Sequence, residues 1–212
     1  MPRRTQARGQ ADGRGQASGA VVNVDLCSVL SLCSGIGGLD LAIKRVIPGA
    51  RICAFVEREA FCCAALVAKM QTGELDDAPV WSDVATFDGR PLRGKVDCII
   101  GGYPCQPFSC AGQRKGADDP RHLWPHIARI MREVQPAWAF FENVAGHLRL
   151  GFREVRADLR AMGYEVKAGL FTAAEVGAPH RRERLFILAH SPRNGCSRSQ
   201  RRGRAECARA AR

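Results

Sequence analysis

Long apolar runs are missing from this sequence, and so is any pair of cysteines spaced as CxxC. No run approaches the roughly 18 apolar residues of a membrane span, and no apolar segment follows the Arg-rich start Met1-Pro2-Arg3-Arg4 to form a signal peptide. We therefore expect a cytoplasmic protein without membrane attachment. The missing CxxC pattern also leaves no zinc-type ligand set, so we predict no metal.

Ten cysteines are nevertheless present, and their positions argue against a disulfide framework. Two of them, Cys62 and Cys63, are adjacent, and four lie inside apolar runs as small buried hydrophobes do: Cys27, Cys33, Cys53 and Cys98. We interpret the thiols as reduced and mostly structural.

The net charge of +11 is concentrated at the two ends of the chain. Residues 1–20 carry +3 and residues 191–212 carry +6, which leaves +2 for residues 21–190. Such ends fit either contact with nucleic acid or plain solvation. We predict a disordered basic tail over 1–20, one folded domain over 21–190 and an Arg-rich tail over 191–212.

Strand and helix patterns alternate through the folded part. This alternation predicts an α/β fold with a doubly wound, mostly parallel seven-stranded sheet. The predicted strands are Cys27–Cys33, Arg51–Val56, Val80–Val84, Val96–Ile100, Ala137–Phe141, Tyr164–Phe171 and Leu185–Ala189. Four helices are predicted, and the third is expected to start at Asp119-Pro120 and to carry Leu123.

A glycine-rich loop, Ser34-Gly35-Ile36-Gly37-Gly38, follows the first predicted strand. A dinucleotide fingerprint needs glycine at position 40, where this chain has Asp40, so an adenosyl ligand fits better. Glu57 follows the second strand, where a carboxylate accepts hydrogen bonds from ribose hydroxyls. Asp83, after the third strand, is a candidate partner for the adenine amino group.

Candidate catalytic residues follow later strands. Cys105 is held between Pro104 and Pro107, which suits a nucleophile, although a buried structural thiol is the alternative. Glu142 is a candidate proton donor at the end of the fifth strand, or else a solvated carboxylate. Arg182 and Arg184 alternate before the last strand and form either an anion-binding pair or an ordinary cationic edge.

In this order the segments resemble the motifs of the cytosine-5 DNA methyltransferases: Ser34–Gly38, Gly102–Ser109 with Gly112 and Arg114, Glu142-Asn143-Val144, and Arg182-x-Arg184. The resemblance covers about residues 27–190. It implies the fold of S-adenosylmethionine-dependent methyltransferases, a restriction-modification type of activity on double-stranded DNA, and methyl transfer to carbon 5 of a flipped-out cytosine through a Cys105 adduct. Glu142, Arg182 and Arg184 are then the other catalytic residues.

The same resemblance implies the binding residues. For S-adenosylmethionine they are Cys33, Ser34, Gly35, Ile36, Gly37, Gly38, Glu57, Arg58, Asp83, Val84, Gly102, Pro104 and Leu123. For DNA they are Gln106, Ser109 and Arg121. Three positions depart from the common pattern, which has Asp at Ser31, often an aromatic residue at Cys33, and Gln at His180.

Nothing after Ala189 resembles the target-recognition domain or the closing motif of the family. We therefore expect a truncated enzyme, or one half of a split enzyme whose second chain supplies target recognition. Two alternatives remain open at this point. One is an inactive fragment that binds nucleic acid without turnover, and the other is a tRNA cytosine-5 methyltransferase.

Overall fold

Strands and helices alternate along the chain. The strands form one mixed sheet, and helices pack on both of its faces. The computed structural model describes residues 27–104 and 123–192. The strands are β1 (Cys27–Leu32), β2 (Ala50–Val56), β3 (Val80–Trp81), β4 (Cys98–Gly101), β5 (Trp138–Val144), β6 (Glu165–Thr172) and β7 (Glu183–His190). The helices of more than one turn are α1 (Gly38–Val46), α2 (Ala60–Gln71), α3 (Trp124–Val134) and α4 (Phe152–Ala161).

The strand order in the described sheet is β3-β2-β1-β4-β5-β7-β6. The first five are parallel to one another, and β7 is antiparallel to both β5 and β6. The predicted doubly wound, mostly parallel seven-stranded sheet is therefore confirmed. Because β1 and β4 are central neighbours, the loops that follow them leave the same edge of the sheet side by side.

Several predicted boundaries are wrong. The fifth strand was expected to end at Phe141 but runs to Val144, because Glu142, Asn143 and Val144 continue the antiparallel pairing with β7. The third strand was expected to reach Val84 but ends at Trp81, because the Asp83 carboxylate accepts a hydrogen bond from the Ala85 amide and turns the chain there. Leu123 lies before α3 as its N-cap residue and not inside it. Pro125 takes the early helical position that was assigned to Pro120, while Asp119 and Pro120 lie outside the described residues.

A hydrophobic core lies on each face of the sheet. Side chains such as Leu30, Leu32 and Phe141 pack with α3 and α4, while Val29 and Ile100 pack on the opposite face with α1 and α2. This division follows from the alternation of side chains along each strand. Both cores include buried residues of β1 and β4, so the loops that follow these strands begin from well-packed segments.

Gly101 allows β1 and β4 to come close where both strands end. It is paired with Leu32, and a Cβ atom on Gly101 would lie 2.7 Å from the Leu32 carbonyl oxygen. Every other residue type would push the two strands apart at this point.

Part of one sheet face carries exposed aromatic and aliphatic side chains. Phe140 and Phe186 are stacked with ring centroids 5.5 Å apart, and Phe171 lies 5.9 Å from Phe186. Phe171 is 53% exposed, and Leu188, which is paired with Phe140, is 42% exposed. We call Phe140, Phe171, Phe186 and Leu188 the open aromatic face. Among the helices of the described ranges, none is long and apolar enough to cross a membrane.

Candidate functional site

A cleft of about 280 Å³ opens where β1 and β4 end. Its lining includes residues of the predicted cofactor loop and residues predicted to be catalytic. The first group is Cys33, Ser34, Gly35, Gly38 and Gly102, and the second is Glu142 and Arg182. The structure therefore brings together two sets of residues that are far apart in the sequence.

The glycine loop takes backbone conformations that favour glycine. Gly35 and Gly37 have φ angles of +55° and +83°. A Cβ atom at Gly37 would lie 2.8 Å from the Leu75 side chain, whereas one at Gly35 or Gly38 would meet nothing within 4 Å. Gly37 is thus required by packing, while Gly35 and Gly38 leave open space on the cleft side where a ligand can approach the backbone.

Glu57 fixes the glycine loop through hydrogen bonds to its carboxylate. It is 8% exposed, and its Oε2 accepts a hydrogen bond of 2.6 Å from the Gly35 amide. Its Oε1 accepts from the Arg58 and Glu59 amides, both at 2.8 Å. The carboxylate therefore joins the glycine loop to the start of α2. Binding of ribose hydroxyls by the same oxygens stays a prediction.

Four other residues predicted to bind the cofactor, Ile36, Arg58, Asp83 and Val84, lie outside the lining of the cleft. Asp83 is half-buried and caps the turn at Ala85, while Val84 is buried in the core. Arg58 is exposed, and Ile36 is 51% exposed.

Asp40 is a site residue that the motif reading did not single out for a role. It is fully buried in the first turn of α1, next to the glycine loop. Neither of its carboxylate oxygens makes a hydrogen bond of good geometry. Burial raises the pKa of Asp40 to about 6, although the nearby Ser31 hydroxyl and Lys69 ammonium favour the charged form. Lys69 itself donates to the Ile36 carbonyl at 2.6 Å.

Glu142 and Arg184 form an ion pair at the opposite side of the cleft. Arg184 Nε lies 2.6 Å from Glu142 Oε1, and each side chain is 25% exposed. The antiparallel pairing of β5 with β7 creates this contact. It sets Val144 opposite Arg184, so Glu142, two residues earlier on the same face of β5, is the diagonal neighbour of Arg184. Gly102 leaves room beside the pair, since a Cβ atom there would lie 3.3 Å from Glu142 Oε2.

Arg182 lies just before β7, and its side chain lines the cleft. The Arg182 amide donates to Nδ1 of His180 at 3.4 Å, and its carbonyl accepts from the Ala173 amide at 2.9 Å. These backbone bonds hold the arginine motif against the end of β6. The two arginines therefore have different places in the site: Arg182 lines the cleft, and Arg184 is paired with Glu142.

The start of the cysteine segment is fixed by a residue that sequence reasoning missed. Asn143 is buried, and its Nδ2 donates to the Tyr103 carbonyl at 3.0 Å. Pro104 is exposed and Leu123 packs against the core. The remaining predicted residues, Cys105, Gln106, Ser109 and Arg121, lie outside the described residues. The place of Asn143 in the Glu142-Asn143-Val144 motif was the signal that could have identified it.

Five thiols of the described residues are free: Cys33, Cys53, Cys62, Cys63 and Cys98. Burial raises the pKa of Cys33 to about 12 and that of Cys53 to about 11. Burial also raises the pKa of Cys98 well above that of an exposed thiol. The described ranges contain no cluster of three or more His, Cys, Asp or Glu that could hold a metal ion.

Comparison with known proteins gives a consistent result. Residues 27–202 match the family model described as C-5 cytosine-specific DNA methylase. The chain is 35% identical over 175 residues to Type II methyltransferase M.AplI of Arthrospira platensis, a match that covers 80% of this chain and 48% of that protein. It is 31% identical over 178 residues to Type II methyltransferase M.AquIA of Picosynechococcus sp., covering 76% and 71% respectively.

A solved structure with a similar fold is the Dnmt2 methyltransferase of S. pombe, with a TM-score of 0.65 and 25% identity. That match covers 81% of this chain and 52% of the other. The chain thus spans about half the length of M.AplI and of the S. pombe protein.

Proposed function

Because this chain belongs to the C-5 cytosine-specific DNA methylase family, we propose that it transfers a methyl group from S-adenosylmethionine to carbon 5 of cytosine in double-stranded DNA. The observation that carries the proposal is the single cleft lined by both Gly35 and Gly38 on one side and Glu142 and Arg182 on the other. Such a cleft can hold a cofactor next to a reacting base. The proposed location is the cytoplasm, where DNA is accessible.

The residues present fit S-adenosylmethionine. The glycine loop leaves its backbone open to a ligand at Gly35 and Gly38, and the N-terminus of α1 follows at once. We propose that the loop with Cys33, Ser34, Ile36 and Gly37 holds the methionine part, and that Glu57, Arg58, Asp83 and Val84 hold the adenosine. When bound, the cofactor supplies an electrophilic methyl group to carbon 5.

Carbon 5 of cytosine is a poor nucleophile, so the ring must first be activated. The thiolate of Cys105 adds to carbon 6, and the electron pair of the former double bond moves to carbon 5. After methylation, loss of the carbon 5 proton restores the double bond and expels the Cys105 thiolate. The position of Gly102, three residues before Cys105 and in the lining of the cleft, supports this role.

Glu142 and the two arginines stabilise the charge that moves through the ring. Arg184 holds Glu142 by its Oε1, so that Oε2 is left on the side of Gly102. We propose that this oxygen contacts ring nitrogen 3 and donates or accepts its proton. Arg182, whose side chain lines the cleft, is the proposed partner of the base carbonyl.

The DNA must deliver its cytosine out of the helix, because carbon 6 is out of reach inside a duplex. We propose Gln106, Ser109 and Arg121 as the DNA contacts next to the flipped base. The arginines of residues 1–20 and 191–212 add charge for phosphate contacts, which weaken as salt increases.

We further propose that a second polypeptide supplies target recognition. The open aromatic face supports it, because Phe171 on this face is 53% exposed. An apolar face of this kind is typical of surfaces that another chain or segment covers.

The proposal is tested with duplex DNA that contains 5-fluorocytosine, whose fluorine cannot leave carbon 5 as a proton does. Incubation with S-adenosylmethionine should trap a covalent protein–DNA adduct, visible as a shifted band on a denaturing gel. Cys105→Ser should form none, because the oxygen nucleophile is far weaker. The matched control is Cys62→Ser on α2, which should form as much adduct as the unaltered chain.

The assay is run both alone and with the C-terminal part of a related methyltransferase added as a separate chain. Adduct formation only in the mixture supports the need for a second polypeptide. Absence of adduct under both conditions would contradict the proposed activity and favour a fragment that binds nucleic acid without turnover. Replacing the DNA by tRNA distinguishes the remaining alternative.

A further inference from the structure

A buried hydrogen bond lies immediately before the predicted nucleophile. The Tyr103 hydroxyl and Nε2 of His147 are 3.0 Å apart, and the two residues are 4% and 3% exposed. His147 belongs to the short 3-10 helix that directly follows β5. A buried pair of polar side chains at this separation is held at one geometry by its surroundings.

The surroundings of Tyr103 are aromatic. Its ring lies 5.6 Å from the ring of Trp124 and 5.9 Å from that of Phe141, and it meets His147 edge-on at 5.6 Å. Trp124 is 1% exposed, and its Nε1 donates to Asp158 of α4 at 2.8 Å. Tyr103 is therefore fixed from three sides by side chains that are themselves anchored.

The positions of these residues in the chain give the cluster its significance. Tyr103 is two residues before Cys105, and Trp124 is the first residue of α3. Tyr103 and Trp124 thus precede and follow residues 105–122 in the sequence, and their rings are in contact. A change at Tyr103 can therefore reach the start of α3 through this contact.

We propose that the Tyr103–His147 hydrogen bond is a clamp that holds Tyr103 and, through its ring contact with Trp124, the start of α3, and that it thereby controls the reactivity of the Cys105 thiol two residues further on. His147 and Tyr103 are then positioning residues, with no contact to substrate or cofactor. This inference rests on the proposed function only for the role of Cys105; the clamp itself follows from the geometry. Asn143, which holds the Tyr103 carbonyl at 3.0 Å, supports the same residue from the backbone side.

Amide hydrogen exchange followed by mass spectrometry tests the clamp directly. Tyr103→Phe and His147→Leu should each increase exchange over residues 101–104 and, by about the same factor, over residues 123–126. His147→Gln should behave like the unaltered protein, since its side-chain amide can reach the Tyr103 hydroxyl. The double variant Tyr103→Phe with His147→Leu should be no worse than either single change.

Tyr164→Phe is the matched control. Tyr164 is also 4% exposed, and its hydroxyl donates a buried hydrogen bond of 2.8 Å to the Pro136 carbonyl. This change should lower the melting temperature without raising exchange at both 101–104 and 123–126. Equal exchange in Tyr164→Phe and Tyr103→Phe would overturn the clamp, as would an effect confined to residues 101–104.

Presentation of the thiol is tested by the rate at which iodoacetamide alkylates Cys105, followed by peptide mass spectrometry. The rate should change by about threefold or more in Tyr103→Phe and His147→Leu, and not in His147→Gln or Tyr164→Phe. A smaller change in both disrupting variants overturns the proposal. Adducts on 5-fluorocytosine DNA are measured in parallel: an unaltered chain that forms none contradicts the proposed function, while exchange and alkylation still decide the clamp.

Discussion

The loops that follow β1 and β4 lie side by side at one edge of the sheet, yet different forces hold them. The glycine loop after β1 is held by charged groups: the Glu57 carboxylate accepts the Gly35 amide, and the Lys69 ammonium donates to the Ile36 carbonyl. The chain after β4 is held by neutral groups, through the Asn143 amide and the Tyr103 hydroxyl.

This difference matches the ligands that the two loops are proposed to meet. Charged partners let the glycine loop respond to the charges of a bound cofactor, and the adjoining Asp40, whose pKa burial raises to about 6, makes this region sensitive to pH. Buried hydrogen bonds between uncharged groups, such as that of the Asn143 amide, depend little on salt. We therefore expect the first loop to be adjustable and the second to be rigid at its base, and the following changes test that contrast.

The largest effect is expected from Gly101→Ala, which should disturb both loops at once. The new Cβ atom would lie 2.7 Å from the Leu32 carbonyl oxygen and force β1 and β4 apart. We expect the free energy of unfolding to fall by at least about 3 kcal/mol, measured by urea denaturation. Gly146→Ala is the control, because a Cβ atom there meets nothing within 4 Å. Equal stability of the two variants would contradict this account of the strand contact.

The second effect concerns pH and should appear only in the glycine loop. The pKa of Asp40 is raised from 3.8 to about 6 in the folded chain, so the native state holds this proton more tightly than the unfolded state. The stability that the protonated carboxyl contributes is complete below pH 4 and is lost as the pH rises through 6. The loss amounts to at most about 3 kcal/mol, from about 1.4 kcal/mol per pH unit.

Asp40→Asn removes this titration, so its stability relative to the unaltered chain should rise between pH 4 and pH 6 and then level off. Urea denaturation at several pH values measures the difference between the two proteins. The exposed control Asp77→Asn should show no such trend. A difference that is flat across this range would mean that Asp40 is not the titrating group.

Glu57→Gln should weaken the glycine loop alone. The change keeps the shape of the side chain but replaces the charged acceptor of three backbone amides, those of Gly35, Arg58 and Glu59. We expect a loss of about 2 kcal/mol in the binding of S-adenosylmethionine, or roughly 30-fold in Kd by calorimetry. Glu59→Gln, at an exposed position, should bind as before. If both variants bind equally well, the loop does not depend on the Glu57 charge.

The smallest effect is expected from Asn143→Ala. In contrast to Glu57→Gln, it should affect the chain after β4 and not the glycine loop. Loss of the 3.0 Å bond to the Tyr103 carbonyl should lower the free energy of unfolding by about 1 kcal/mol and leave the cofactor Kd unchanged. Alkylation of Cys105 should change, which it should not in Glu57→Gln. A variant that loses cofactor affinity but keeps its alkylation rate would show that the two loops are not independent.

Much of this fold could be read from the sequence because its strands are short apolar runs that end in glycine or acidic residues. Glu57 was correctly placed directly after a strand, and Gly163, with a φ angle of +89°, ends α4 as expected. Glu142 lies two residues before the end of β5, which is longer than predicted. The strand Val80–Val84 was predicted too long because the Asp83 turn competes with a weak edge strand. Periodicity alone does not register such a turn.

The contacts inside the site were not predictable in the same way. Glu57 binds an amide 22 residues away, and His147 meets Tyr103 across 44 residues. Such pairs depend on strand order and register, which a single sequence does not specify. The ion pair of Glu142 with Arg184 is similar, since it requires β7 to run antiparallel beside β5. The motifs indicated which residues matter, and the sheet determined which of them touch.

The fully buried Cys98 thiol, whose pKa is raised by burial, gives the protein an internal reporter of unfolding. Because no part of its side chain is exposed while the chain is folded, an alkylating reagent reaches it through molecules that have opened. Labelling of Cys98 by a maleimide therefore follows global unfolding, while labelling of Cys105 follows the reactivity of that thiol. One reaction mixture, resolved by peptide, can thus separate a variant that merely unfolds from one that misplaces its nucleophile.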